Sequence, residues 1–254
     1  MLDNRIFDME AICTDDCFDY VEYSVNSWRE WIGKVMNELD KIDSVQIKIL
    51  TYFSVLEMME QEFLDFPQRE QQNSFTEFVL KFQNKYDFLT LTDPITLYYR
   101  VEDIISSKVS LDDLGNASHY SPKDDAIRLK TEEIKKALTE IKGEDFTQSK
   151  MKQHRYVDLL YRMRCRLSHE FSTSHITYNR TAEEPYYTNC YRDFIHEEKR
   201  IEDEVWQLMF PPQFIKDLCL NCFENYLAYC TENHTPPNKH NSLGRFCELS
   251  WYNR

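Results

Sequence analysis

The sequence predicts a mostly α-helical bundle with a small β element in its C-terminal third. Glycine is scarce: Gly33, Gly115, Gly143 and Gly244 are the only four among 254 residues, against a usual share of roughly 7%. Folds that turn on glycine, such as propellers and sandwiches, are disfavoured. Apolar residues recur at three- and four-residue steps over most of the chain, which is the helical period. The β-prone residues gather in two short runs after residue 175, Ile176–Tyr178 and Tyr186–Cys190, which read as a hairpin.

Taken in order, a first helix runs from about Asp19 to Leu39, with Tyr23, Trp28, Trp31, Val35 and Leu39 as its apolar stripe. The second, Val45 to Leu64, is apolar on most of its circumference, as central helices are. Phe66-Pro67 ends it. Ser74 and Glu77 form a capping box for a third helix carrying Phe75, Phe78, Val79 and Phe82. Asp93-Pro94 opens a fourth, through about Ile105, with aspartate as cap and proline in the first turn. Residues 106–145 are charged and small, and read as a surface loop plus a solvated helix from Asp124 to Lys142. A long helix is predicted from about Thr147 to Phe171, and a last one from Pro212 to about Cys230. The core is expected to include Tyr52, Val55, Leu56, Met59, Val157, Leu160 and Tyr161.

Composition excludes several classes of function. With 30 Lys+Arg against 44 Asp+Glu the formal charge is −14, which repels nucleic acid except where basic residues cluster. Glycines this far apart cannot form a dinucleotide fingerprint or a P-loop. The opening residues are acidic where a secretory signal needs a basic start, and no uncharged apolar run is long enough to span a bilayer. A cytoplasmic protein with reduced thiols is expected. Cys219-x2-Cys222 has metal-ligand spacing but sits in a helical pattern, so core packing is the expectation and no cofactor or metal is predicted.

The charge is sharply uneven. Lys150, Lys152, Arg155, Arg162, Arg164 and Arg166 oppose only Asp158 between residues 150 and 169, so this stretch is +5 and the remaining 234 residues are −19. On a helical wheel Arg155, Arg162, Arg166 and His169 fall within about 60° of one another. Arg164 falls elsewhere, among Val157, Leu160, Tyr161 and Leu167. An unpaired guanidinium there costs several kcal/mol. It therefore needs a carboxylate, with Glu57 on the second helix as one mate, or an anionic ligand, or a partner surface. His154 is expected as a surface histidine, with contact to RNA as the alternative, and His196 in a solvated charged stretch; Tyr186, Tyr187 and Tyr191 either stack on bases or cover a core edge.

The run Tyr161-Arg-Met-Arg-Cys-Arg-Leu-Ser-His169-Glu-Phe resembles the HEPN superfamily, helical domains of ribonuclease toxins and antiviral effectors whose signature is R-x4–6-H. Arg164-x4-His169 fits the shorter spacing and Arg162-x6-His169 the longer. The resemblance covers about residues 45–171; where members commonly have a polar residue after the motif arginine, this chain has Cys165. It implies a metal-independent endoribonuclease, a toxin or defence effector, leaving 2′,3′-cyclic phosphate and 5′-hydroxyl ends. Catalysis would rest on Arg164 and His169, and RNA binding on Arg162, Arg166 and Arg155. The expected partners are RNA, a second copy in a homodimer and an antitoxin or effector-module protein, with no membrane. The alternative is a non-catalytic HEPN-like dimerisation module, or one that binds RNA or nucleotide. The domains expected are an N-terminal helical extension (1–44), a HEPN-like helical domain (45–175) with its charged insertion at 106–145, and a C-terminal α+β appendage (176–254).

Overall fold

The computed structural model describes residues 20–63, 71–115, 120–170, 182–196 and 199–237, with side chains at 71–73 and 190–204 left aside. Among the described residues eight α-helices and one hairpin follow one another: α1 (Tyr20–Asp40), α2 (Val45–Phe63), α3 (Gln71–Phe82), α4 (Pro94–Ile105), α5 (Asp125–Lys142), α6 (Glu144–Gln153), α7 (Tyr156–Glu170), β1 (Tyr186–His196), β2 (Lys199–Met209) and α8 (Pro212–Glu232). The mostly helical class with a small β element is as the sequence predicts. No helix of the described residues is long and apolar enough to cross a membrane.

α2 lies at the centre, packed by α3, α7 and α8. Its buried apolar residues are Ile49, Tyr52, Phe53, Val55, Leu56 and Met59, which spread round much of the helix and leave little solvent face. α8 answers with Phe214, Ile215, Leu218, Cys219, Cys222, Phe223, Tyr226, Leu227 and Cys230. Cys219 and Cys222 are core residues whose thiols burial pushes far up, so they stay protonated. Where α2, α3 and α8 meet, Phe63, Phe78, Phe82 and Tyr226 form an aromatic cluster, with the Phe63 and Phe82 centroids 5.0 Å apart, edge to face. Every residue predicted for the core is buried except Tyr161, which is half-buried against it.

Several local readings need correction. α1 buries Val25, Ile32, Met36 and Leu39, while Tyr23 and Trp31 of the predicted stripe are exposed; only Trp28 and Val35 of its middle pack on the core. α3 begins at Gln71, a turn before the Ser74–Glu77 box, since glutamines are good helix formers and carry the ladder back. α5 is not a solvated helix: Ile127, Ile134, Ala137 and Leu138 are buried, and it packs on α4 and α6. Gly143, with φ +86°, closes α5. That left-handed conformation suits glycine.

The predicted long helix is two. α6 starts at Glu144, and the chain leaves the helix at His154 and Arg155 before α7 starts at Tyr156. There the backbone pairs sideways with the segment ahead of α4: Asp93 N donates to His154 O at 2.8 Å, and Tyr156 N to Leu91 O at 3.0 Å. His154 is buried, not at the surface; its Nδ1 lies 2.8 Å from Lys150 O, and burial holds its imidazole below the ordinary range.

The hairpin also differs. β1 does pick up Tyr186–Cys190, but its partner is the following strand, in register from Tyr186 opposite Met209 to His196 opposite Lys199. Residues 176–178 lie outside the described residues. In β2 Trp206 and Leu208 are buried, so the strand lays one face on the bundle beside α4.

Candidate functional site

α7 displays two distinct faces. Tyr156, Val157, Leu160, Met163 and Leu167 are buried against α2 and α3. Arg162, Arg166 and His169, separated by steps of four and three, are exposed on one side. The helix runs on through Glu170, so His169 faces solvent. Arg155 does not extend this stripe, because it precedes the helix; its Nε donates to the buried Asp158 at 2.8 Å. Arg162 is partly committed too, donating from Nη2 to Gln153 O at 2.6 Å, where it caps the end of α6.

Arg164 turns towards α2 and pairs with Glu57, the two side chains being 16% and 24% exposed. Its guanidinium carbon lies 5.9 Å from the Tyr161 ring centroid, and its buried Nε has no acceptor among the described residues. The misfit on the wheel is thus resolved within one chain by a carboxylate. The sequence does not bring forward Glu60, one turn along α2 from Glu57. Burial pushes its carboxyl from 4.5 up to about 7, beside Tyr161, whose hydroxyl burial and Cys165 push up to about 12. Glu57, Glu60, Tyr161, Arg164 and Cys165 thus form a polar seam between α2 and α7.

The Glu60 carboxyl carries a pH prediction. Its folded value lies above its unfolded one, so it contributes stability in full below about pH 4.5 and loses it as pH rises to about 7. Glu60→Gln is expected to remove that slope and to be more stable than the wild type at pH 8 by about 1–2 kcal/mol, water screening having reduced the full effect. Urea unfolding of both proteins at pH 4 and pH 8 measures this; parallel profiles would contradict it.

The start of α7 is fixed by a second buried polar group. Asp93 is fully buried; its carboxylate caps α4 by accepting from Ile95 N at 3.1 Å and Thr96 N at 3.0 Å. It also accepts from Tyr187 OH, which in turn hydrogen-bonds Tyr156 OH. Since Tyr187 gives its one proton to Asp93, Tyr156 must donate to Tyr187. Burial raises the Asp93 carboxyl, against the hydrogen bonds from Thr96, Tyr187 and Ile95 that lower it. The chain Asp93–Tyr187–Tyr156 ties α4, β1 and α7 together. Of the tyrosines considered for base stacking, Tyr187 is therefore interior and Tyr186 half-buried. The side chains of Tyr191 and His196 lie outside those described.

Comparison of the chain with protein-family models, with curated proteins and with solved structures gives no match.

Proposed function

We propose that the protein is a metal-independent endoribonuclease of HEPN type, acting in the cytoplasm as a toxin or antiviral effector. The observation that carries this reading is the exposed face of α7, where His169 stands with Arg162 and Arg166, while Arg164 of the same helix turns towards α2 and pairs with Glu57. RNA supplies its own nucleophile, the 2′-hydroxyl next to the scissile phosphate. The protein has to move protons and stabilise an anion. His169, a residue type that titrates near neutrality, takes the 2′-OH proton or delivers one to the leaving 5′-oxygen. Arg164 grips the phosphate as its charge grows, and Arg162 and Arg166 draw the RNA in. Two copies meeting along α7 around a two-fold axis would place both arginine–histidine sets in one cleft. An antitoxin or effector-module protein restraining this face completes the proposed set of partners.

The Arg164–Glu57 pair favours a second reading. A motif arginine already neutralised within its own chain suits a non-catalytic module that dimerises or binds RNA or nucleotide. Incubation with labelled RNA in EDTA separates the two: fragments ending in 2′,3′-cyclic phosphate are expected of the enzyme, and intact RNA of the module.

A further inference from the structure

A cleft of about 290 Å³ opens between α4, the loop that follows it and the β-hairpin. This is the size that accommodates a small head group, at the low end of small-molecule sites. Its walls are part aromatic and part polar: the aromatic residues are Tyr98 and Tyr99 from α4, and Trp206 from β2, whose backbone N–H donates to Tyr99 OH at 2.9 Å. Tyr98 and Trp206 are 7% and 9% exposed, so each shows only a small part of its surface, while Tyr99 is exposed. Two carboxylates, Glu102 and Asp112, line the same cleft.

Those two carboxylates stand at exposed positions. Neither forms an ion pair among the described residues. The nearby buried cation, Lys130, is already engaged, with its Nζ donating to Ser110 O at 2.9 Å, Asp113 at 2.8 Å and Glu133 at 2.6 Å. Their field reaches the ring: burial raises the Tyr98 hydroxyl first, Glu102 and Asp112 raise it further, and Lys130 opposes them in part. Electron-rich ring faces beside uncompensated negative charge attract cations with some apolar surface, and repel phosphates.

We propose that this cleft binds an organic cation, an alkylammonium or guanidinium head on a short aliphatic stem. The head sits between Glu102 and Asp112, and the stem runs over Tyr99 and Trp206. Such a head occurs on free amines and on the side chains of lysine and arginine. The site is independent of the α7 face and of any ribonuclease activity.

Calorimetric titration of the whole chain tests it with three probes: spermidine as a free amine, Nα-acetyl-arginine methylamide as a peptide side chain, and neutral valeramide. Binding of either cation without binding of valeramide is expected, and which cation binds identifies the source. Glu102→Gln with Asp112→Asn should weaken that binding by about tenfold or more. Both residues are exposed, so folding is not at stake. Asp125→Asn with Glu132→Gln changes the net charge equally on exposed α5 positions and should leave the affinity unchanged. The proposal is overturned if neither cation binds at millimolar concentration, if the Glu102/Asp112 pair of changes has no effect, or if the α5 pair weakens binding as much.

Discussion

Asp93→Ala is expected to lower the stability of the fold by about 2–5 kcal/mol, a large fraction of what holds a domain together. Two effects combine. The carboxylate caps α4 through Ile95 N and Thr96 N, and removing such a cap costs about 1–2 kcal/mol. It is also the acceptor at the end of the Tyr156–Tyr187 chain. Without it the Tyr187 hydroxyl is left buried with nothing to donate to, at about 1–3 kcal/mol. Asp93→Asn keeps an acceptor oxygen and should lose about half as much. Tyr156→Phe removes only the last donor in the chain and should cost about 1 kcal/mol. Urea unfolding of the three variants measures the order; equal losses for Asp93→Ala and Tyr156→Phe would show that the carboxylate is not the anchor.

Arg164→Ala is expected to lower RNA cleavage by about 10²–10³-fold, the effect of deleting one donor that stabilises a growing oxyanion. Arg164→Lys should recover only part of it, because an ammonium cannot reproduce the planar two-pronged grip. Since Arg164 also pairs with Glu57, stability and chemistry must be separated. Glu57→Gln breaks the same ion pair and keeps the guanidinium, so the two variants should lose similar stability, about 1–3 kcal/mol. Only Arg164→Ala should lose the rate. Arg162→Ala should instead weaken RNA binding and flatten its salt dependence, as expected of a residue that neutralises backbone phosphate. An inactive Arg162→Ala beside an active Arg164→Ala would make Arg162-x6-His169 the working register.

The parts of the fold readable from sequence are those whose cause is local. The start of α4 is legible to the residue because Asp93 and Pro94 supply cap and first turn within two positions. The central place of α2 is legible because its apolar residues outnumber what one stripe requires. The break between α6 and α7 has no such signal: Gln153-His154-Arg155 contains neither glycine nor proline, and the break exists because the backbone finds partners at Leu91 and Asp93, more than sixty positions away. β2 lacks a local signal for a related reason. Its first half, Lys199 to Glu204, is charged and polar apart from Ile201, and only its pairing with β1 makes it a strand. In the candidate site the exposed face of Arg162, Arg166 and His169 followed from the helical period alone. Glu57 was one of several answers to the burial of Arg164, and choosing it requires knowing how α2 and α7 pack. Glu60 and the Asp93–Tyr187–Tyr156 chain depend wholly on burial and on contacts across the fold.

The central claim, that α7 carries a histidine-dependent ribonuclease site, is tested most directly by cleavage of labelled RNA in EDTA with the wild type beside His169→Ala. The side chain is exposed, so its removal should leave folding and RNA binding nearly unchanged. It deletes proton transfer worth roughly 10²–10⁴-fold in rate. The account predicts cleavage by the wild type, with 2′,3′-cyclic phosphate ends, and none above background by the variant. Equal cleavage by both proteins, or none by the wild type, would contradict it.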